Sequence, residues 1–259
     1  MNASLTTPAL LPTTPAPEEA YSQVVKVQLK LREMILAGEL AAGSRIAELS
    51  IVEKLGASRT PIRSALMRLE QEGLLAALPN GGYAVRTFSE REVSEAIALR
   101  GTIEGLAARL AAERGVALAV LDEAHQCLAQ IDVLLQASAI DDEGFSRYVV
   151  LNREFHALLG ELSGSAFMQR EIERVSSLPF ASPSGFVIVQ ANTPQARDML
   201  IVAQDQHRQV LDAIRNREGA RAEAIMREHS RLAQRNLRDA MQAPGKHAVP
   251  GVRLIRQHA

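Results

Sequence analysis

The sequence predicts a mainly α-helical fold in which an N-terminal unit with a short β-hairpin precedes a larger unit built only of helices. Apolar residues recur at helical spacing through most of residues 89–241, whereas two short apolar runs flank the turn at residues 79–82. Aromatic residues make up only 3% of the 259 residues, and tryptophan is absent. This composition favours leucine- and alanine-rich helix packing over a β-sandwich, and the length allows two domains of ordinary size.

Residues 58–73 have the pattern of a short helix with one apolar edge. Ile62, Leu66 and Leu69 recur at helical spacing and are predicted to pack inward, so that Arg59 and Arg63 point elsewhere. A helix that enters the major groove of DNA needs one face packed against its own domain. It also needs a positively charged N-terminal end that carries hydroxyl groups. An arginine-rich helix alone is equally typical of a solvated surface, so its neighbours decide between the two interpretations.

Local signals set the expected boundaries of this helix and its partner. Thr60 is predicted to be the N-cap, with Pro61 at the first helical position, and Gly73 is expected to end the helix in the left-handed conformation. Residues 48–55 form a second predicted helix that Gly56 ends. The three residues between the two helices match the length of a helix-turn-helix connection.

The segment that follows predicts a wing. Residues 74–78 and 83–87 are short apolar runs joined by Pro-Asn-Gly-Gly, which is a strong hairpin signal. Three helices followed by a hairpin make a winged helix-turn-helix domain, which we expect to bind double-stranded DNA. The residues predicted to contact DNA are Arg45, Ser58, Arg59, Thr60, Arg63, Arg68, Asn80, Gly81 and Gly82.

The charge distribution agrees with DNA binding at this domain. Residues 20–87 hold nine Lys or Arg and six Glu, a net charge of +3, although the whole chain carries -1. A basic excess confined to one domain is an electrostatic footprint for phosphate contacts. Because the excess is modest, one copy is expected to bind weakly, and a homodimer on a palindromic operator is expected.

Residues 21–87 resemble the GntR family of bacterial transcriptional regulators. The resemblance rests on SRTPIRSALMRLEQEGLL, residues 58–75, together with NGGYAV, residues 80–85. It implies a ligand-responsive transcriptional regulator, most often a repressor in this family.

Four regions follow from these patterns. We expect a disordered, proline-rich arm at residues 1–19, the winged helix-turn-helix domain at 20–88, an all-helical effector-binding and dimerisation domain at 89–241, and a flexible tail at 242–259.

The helical domain begins at a capping box. Ser89 and Glu92 have the spacing of this motif, and the helix that starts there is expected to end at Gly115. A proline-broken loop at residues 178–185 and a short apolar stretch at residues 186–189 interrupt the later helices. Further helices are predicted at 118–137, 143–163, 165–178, 195–217 and 219–241.

Three histidines of this domain are candidate metal ligands. His156, His207 and His229 lie on separate predicted helices, so that an antiparallel bundle can bring them to one interior point, and Asn152 shares a helix face with His156. Three imidazoles and an oxygen suit zinc or nickel. By spacing alone the signal is weak, because a histidine on a half-apolar helix face is more often a satisfied structural residue.

Residues 90–240 resemble the FCD ligand-binding domain of the FadR subfamily. That resemblance implies a divalent metal on one aspartate and three histidines and a small carboxylate effector. The histidine positions match, but Asn152 occupies the aspartate position, which puts the metal in doubt. Two alternatives stay open: weak metal binding completed by an anionic effector, or an effector carboxylate held without metal. The expected effector-binding residues are Arg100, Asn152, His156, His207 and His229.

The role of Arg100 and the identity of the effector also stay open. A guanidinium can pair with the effector carboxylate, or Arg100 can form an ion pair with Glu104 one turn further along the helix. Residues 100–105 and the loop at 178–184 also resemble the vanillate-responsive regulators of aromatic-acid catabolism. An aromatic acid is therefore one candidate beside sugar acids, hydroxy acids and dicarboxylates.

Other features of the chain exclude several protein classes. The single cysteine, Cys127, excludes a disulfide framework and is expected to be a buried small apolar residue. Apolar runs near 18 residues and a signal peptide are absent, which predicts a cytoplasmic protein without a membrane partner. The chain is expected not to be an enzyme. Two rival functions are a metal-dependent hydrolase with an accessory DNA-binding domain and an architectural DNA binder without an effector.

Overall fold

The computed structural model describes residues 17–136, 140–184, 194–242 and 250–256. Within these ranges the helices are α1 (Pro17–Ala37), α2 (Glu48–Leu55), α3 (Arg59–Gln71), α4 (Glu90–Arg114), α5 (Leu118–Gln136), α6 (Asp142–Leu162), α7 (Ala166–Ser177), α8 (Pro194–Arg215) and α9 (Gly219–Gln242). The strands are β1 (Arg45–Ile46), β2 (Leu75–Ala77), β3 (Tyr83–Val85), β4 (Phe88–Ser89) and β5 (Ile255–Arg256). The predicted fold class is confirmed.

The N-terminal domain is a winged helix. Strand β3 lies between β1 and β2 and pairs antiparallel with both, so that the predicted hairpin forms the wing. Leu31 and Ile35 of α1 are buried together with Leu66 and Leu69 of α3. This packing hides the apolar edge of α3 and leaves its opposite face to solvent.

The start of α3 differs from the prediction. The helix begins at Arg59 and Ser58 is its N-cap, so that the assignment of Thr60 as N-cap is wrong. Pro61 still lies in the first helical turn, where the backbone N–H groups have no intrahelical partner, and the proline is tolerated there. At the other end, Gly73 has φ +81° and Leu74 N–H donates to the Leu69 carbonyl, which closes the helix as predicted.

Helix α4 is the longest element of the helical domain, and it packs tightly along α9. Ser89 and Glu92 form the predicted capping box at its start. Two glycines allow close approach: a Cβ at Gly101 would lie 2.3 Å from Ser230 Oγ, and one at Gly105 would lie 3.1 Å from the Glu223 carbonyl oxygen. The remaining helices agree with the predicted segments to within three residues.

The two ends of the chain differ from the predicted boundaries. Helix α1 begins at Pro17, inside the predicted arm, and residues 1–16 lie outside the described residues. The predicted flexible tail is wrong for residues 250–256, because Val252, Leu254 and Ile255 are buried and β5 pairs in parallel with β4. Residues 243–249 and 257–259, like the predicted apolar stretch at 186–189, lie outside the described residues.

The buried residues form two hydrophobic clusters. One is formed by residues of helices α4 to α9 and includes Cys127, which is buried as predicted. The other joins the winged helix to the start of α4, the end of α9 and residues 252–255. None of the described helices is long and apolar enough to span a bilayer.

Candidate DNA interface and candidate metal and effector site

The leading end of α3 presents the polar groups predicted to contact DNA. Ser58, Arg59 and Thr60 are exposed, and the Arg63 side chain is 65% exposed one turn further along. Both carboxylate oxygens of Glu48 on α2 accept from Arg63 Nε at 3.0 Å. This contact orients the guanidinium at the surface of the helix-turn-helix unit.

The wing carries the second group of predicted DNA contacts. Asn80, Gly81 and Gly82 are exposed, and both glycines have positive φ angles, of 82° and 83°. Arg45 Nη2 donates to the Gly81 carbonyl oxygen at 2.9 Å, because the pairing of β1 with β3 places Arg45 opposite Ala84. The structure therefore brings Arg45 to the wing turn.

Arg68 is placed differently from the other predicted contacts. It is half-buried, and its Nη1 lies 3.5 Å from Gln28 Oε1 of α1. Arg59 and Arg63 are four residues apart and share one face of α3, whereas Arg68 follows Arg63 by five residues, which turns it towards α1. The structure does not bring Arg68 to the exposed face.

The three predicted histidines converge in the interior of the helical domain. His156 on α6, His207 on α8 and His229 on α9 are 1%, 0% and 7% exposed. One nitrogen from each ring lies within 4.8 Å of the other two. The antiparallel packing of these helices thus assembles a compact three-imidazole cluster.

The hydrogen bonds of Gln204 fix the tautomer of His207. Gln204 Nε2 donates to the Leu128 carbonyl oxygen at 2.9 Å and to Asp132 Oδ1 at 2.6 Å, so that its Oε1 is the acceptor that faces His207 Nδ1 at 3.2 Å. His207 Nδ1 therefore carries the proton, and Nε2 has a lone pair.

The other two rings have the same arrangement. His156 Nδ1 lies 2.8 Å from Glu104 Oε1, and His229 Nδ1 lies 3.1 Å from Gln206 Oε1. All three rings thus place Nδ1 against a side-chain oxygen, and the Nε2 atoms of His207 and His229 meet inside the cluster. In metal-binding proteins, the ring nitrogen of a histidine that does not bind the metal commonly donates to an oxygen, and this hydrogen bond orients the ring.

Unpartnered atoms show that the cluster fits a cation. His156 Nε2 and Asn152 Oδ1 are buried without a hydrogen-bond partner, and the Nε2 atoms of His207 and His229 lie 3.2 Å apart. Buried nitrogen and oxygen lone pairs are unfavourable unless a hydrogen or a cation engages them. Imidazole nitrogens with one amide oxygen suit zinc or nickel.

The protonation of the rings also favours metal binding. Burial, reinforced by the neighbouring histidines and the Arg100 guanidinium, holds the pKa of His207 well below its usual value. Burial, then the charges of His156 and Arg100, lowers the pKa of His229 in the same way. Both imidazoles are therefore neutral near pH 7, which is the metal-binding form.

Asn152 lies one turn before His156 on α6 and is buried. Its Nδ2 donates to Ser184 Oγ at 3.0 Å, which leaves the amide oxygen as its unpartnered end. The residue at the family's aspartate position thus offers an uncharged oxygen ligand and is joined to the loop after α7.

The ion pair between Arg100 and Glu104, one of the two alternative roles of Arg100, is present. Arg100 Nη1 lies 2.8 Å from Glu104 Oε2, and both side chains are buried. Burial alone would raise the pKa of Glu104, but Arg100 and His156 outweigh it and lower the pKa to about 2. Arg100 Nε is buried without a partner, so that the guanidinium keeps one donor beyond the ion pair.

A cavity of about 30 Å³ adjoins the cluster and is lined by residues that include Arg100, Tyr148, Asn152, Pro183, His229 and Asn236. Because one water needs about 10–15 Å³ by the same measure, this space suits an ion or one carboxylate group. A groove of about 540 Å³ between α6 and α7 reaches His156 and Pro183 from the other side.

Sequence reasoning missed three residues of the site and the second contact of Glu104. Gln204 and Gln206 set the ring orientations, Ser184 holds Asn152, and Glu104 binds His156 as well as Arg100. The spacing of three between Gln204 and His207 was a usable signal, since such residues meet on one helix face. The other contacts join residues on separate elements and carry no local signal.

Comparison with known proteins gives the family. The model of the bacterial regulatory proteins of the gntR family matches residues 23–85, and that of the FCD domain matches residues 95–232. The chain belongs to the GntR family and carries an FCD domain.

Known relatives agree with this assignment. An uncharacterized HTH-type transcriptional regulator in an unstable DNA locus of Streptomyces ambofaciens is 30% identical over 216 residues, which cover 79% of this chain and 80% of the relative. YdhC of Bacillus subtilis, an uncharacterized HTH-type transcriptional regulator, is 29% identical over 150 residues, which cover 58% of this chain and 64% of the relative.

A solved structure shares the fold. E. coli McbR/YncC aligns with a TM-score of 0.61 at 20% identity, over 84% of this chain and 97% of that chain. The two matched family domains show that this chain is a DNA-binding transcriptional regulator whose helical domain binds an effector.

Proposed function

We propose that this GntR–FCD regulator is a repressor that binds a palindromic operator as a homodimer. Each copy would place Arg59 and Arg63 in the major groove, with the wing turn and Arg45 at the backbone or the minor groove. The exposure of these side chains supports this, and the modest charge of the domain favours two half-sites over one. Its place would be the cytoplasm, where bacterial DNA lies.

The helical domain would bind a divalent cation, zinc or nickel. His156, His207 and His229 would each supply Nε2, and Asn152 would supply its amide oxygen. The single observation that carries this proposal is that three separate side-chain oxygens lie within hydrogen-bond distance of the three Nδ1 atoms, which favours the tautomers that leave the Nε2 lone pairs for a common centre. The cation would supply positive charge that attracts and orients an anion.

A small carboxylate would complete the site. The charges of Arg100 and Glu104 cancel, and imidazole nitrogens and an amide oxygen are uncharged ligands, so that these ligands would not compensate the charge of a bound cation. A carboxylate supplies it, and Arg100 Nε can donate to the same group. The remaining cavity admits the carboxylate itself, so that an aromatic acid would need the cavity to enlarge around its ring.

The metal-free alternative uses the same residues. In that case Arg100 and one or more imidazoles would donate directly to the effector carboxylate. Donation from Nε2 of His207 or His229 would cost that ring its Nδ1–H contact with Gln204 or Gln206, because the low pKa of both histidines opposes a second hydrogen on the ring near pH 7. This cost favours the metal-assisted form.

Catalysis is not part of the proposed function. A hydrolase needs a general base near the metal, and Glu104 is the carboxylate that contacts His156. Its pKa near 2 and its ion pair with Arg100 make it a poor proton acceptor. Glu154, two residues before His156, is exposed.

A thermal-shift series tests the proposal. The Tm of the full chain is measured with aliphatic, hydroxy and aromatic carboxylates, each with zinc, with nickel and with a chelator. We expect zinc or nickel to raise the Tm, and at least one carboxylate to raise it further only when metal is present. If a carboxylate raises the Tm equally with metal and with chelator, the metal-free form is supported. If no metal and no carboxylate changes the Tm, the effector site is rejected.

A further inference from the structure

Two segments meet between the effector site and the winged helix. The first is the loop of residues 178–184 after α7, called here the connecting loop. The second is the buried C-terminal segment, residues 250–256. Each contacts both the winged helix and another part of the chain, so that together they are a candidate route between ligand and DNA.

The end of the connecting loop belongs to the effector site. Ser184 Oγ accepts from Asn152 Nδ2 at 3.0 Å, and Pro183 lines the cavity beside Arg100. Asn152 directs its opposite end, Oδ1, without a partner into the site. A ligand that engages Oδ1 therefore fixes the amide whose other end holds the loop.

The start of the same loop belongs to the winged helix. The Phe180 ring packs edge-on against Phe88 of β4, with centroids 5.4 Å apart. A Cβ at Gly73, at the end of α3, would lie 3.6 Å from Pro179 Cδ. Only four positions therefore separate the residue that contacts the winged helix, Phe180, from the residue that contacts Asn152, Ser184.

The C-terminal segment holds Phe180 in place. Gly251 has φ +83°, its N–H donates to the Leu36 carbonyl oxygen at 2.8 Å, and a Cβ at this position would lie 2.5 Å from Phe180 Cε1. Phe180 itself has φ +64°, a conformation that non-glycine residues adopt only when their surroundings enforce it. The ring is thus wedged between Gly251 and Phe88.

The C-terminal segment is also bound to the connection between the two domains. Ile255 and Arg256 pair in parallel with Phe88 and Ser89, and Ser89 is the N-cap of α4. The strand that Phe180 touches is therefore the strand that links the wing to the helical domain.

We propose that the connecting loop, wedged by the C-terminal segment, transmits occupancy of the histidine site to the winged helix through Asn152, Ser184, Phe180 and Phe88. The role in signalling rests on the proposed effector site, but the mechanical link does not require a ligand. Displacement of Ser184 moves Phe180, and Phe180 moves β4 and the attached wing.

The link is tested first without a ligand. Hydrogen exchange of the segments 84–89 and 250–256 is measured by mass spectrometry for wild type, Ser184→Ala, Phe180→Ala and the double variant. We expect each single variant to raise exchange in both segments at least about fivefold, and the double variant to exceed the larger single effect by less than about twofold. Wild-type exchange in Ser184→Ala would overturn the proposal.

Two further variants serve as a control and as a replacement in this test. Ser177→Ala removes a hydroxyl that donates to the Arg174 carbonyl within α7, and it should leave exchange at both segments unchanged. If Phe180→Ala does not fold, Gly251→Val takes its place, because the new side chain displaces the Phe180 ring from outside the helical core. It should raise exchange at 84–89, and wild-type exchange there would also overturn the link.

Zinc chloride then separates this proposal from the effector site. In wild type, zinc should raise the Tm and change exchange at 84–89; in Phe180→Ala it should raise the Tm and leave that exchange unchanged. An exchange response to zinc in Phe180→Ala equal to that of wild type would overturn the link. If zinc does not raise the wild-type Tm, the cation site fails, and the ligand-free variants still decide the link.

Discussion

The Nε2 atoms of His207 and His229 face each other at 3.2 Å in the interior of the helical domain. Gln204 Oε1 lies 3.2 Å from His207 Nδ1, and Gln206 Oε1 lies 3.1 Å from His229 Nδ1. When these oxygens accept from both Nδ1 atoms, the two Nε2 lone pairs point at the same interior region, and a cation between them removes their repulsion. This geometry is the basis of the proposed cation site.

The first prediction concerns the metal ligands. His207→Ala should weaken zinc binding at least about 100-fold, because loss of an outer hydrogen-bond partner alone costs 10–100-fold and this change removes a ligand. Isothermal titration calorimetry measures the affinity. His125→Ala, an exposed histidine on α5, is the matched control and should bind zinc as wild type does. Equal affinities in both variants would contradict the site.

The second prediction concerns the neutral ligand. Asn152→Asp should raise zinc affinity by about 10-fold, or about 1.4 kcal/mol, because a carboxylate compensates charge that an amide does not. Competition with a chromogenic chelator measures the gain. Asn152→Ala should instead weaken binding. An aspartate variant no tighter than wild type would show that the oxygen of residue 152 does not reach the cation.

The third prediction concerns the buried ion pair. Glu104→Gln should lower the free energy of unfolding by about 3–5 kcal/mol, because it leaves the Arg100 charge buried without its partner. Urea denaturation of the chelator-treated protein measures the change. The matched control is Glu113→Gln, which removes an exposed partner of Arg109 and should have a much smaller effect. Similar decreases in the free energy of unfolding of the two variants would show that burial does not increase the contribution of the Arg100–Glu104 pair to stability.

The fourth prediction concerns the DNA interface. Arg63→Ala should reduce affinity for an operator selected from random duplexes by about 10-fold or more per half-site, because a bidentate arginine–guanine contact is worth about 1–3 kcal/mol. Fluorescence anisotropy at physiological salt measures it, and sedimentation should show an unchanged oligomeric state. Arg174→Ala, which removes an exposed ion-paired arginine of the helical domain, should bind as wild type does. Unchanged affinity in Arg63→Ala would reject the recognition helix.

Structure that depends on a few neighbouring residues was predictable from the sequence. The capping box of Ser89 and Glu92, the left-handed Gly73 and the bounds of α2 all follow from local geometry. Thr60 was misplaced by two positions because Ser58 and Thr60 are both acceptable caps, and only the packed helix selects between them.

Structure that depends on distant partners was not predictable in the same way. The C-terminal segment was predicted to be flexible, but Val252, Leu254 and Ile255 share a hydrophobic cluster with residues of the N-terminal winged helix. The three histidines were found from their places on separate predicted helices and from the family resemblance. Their orientation depends on Glu104, Gln204 and Gln206, which carry no shared motif.

The central claim is that three Nε2 atoms define a cation site inside the helical domain. X-ray absorption at the zinc edge of the loaded full chain tests it most directly. We predict one zinc per chain with three imidazole nitrogens at about 2.0–2.1 Å and an oxygen ligand, and a response of the oxygen shell to added carboxylate. A first shell of oxygen atoms without imidazole, or zinc that is lost on desalting, would contradict the claim.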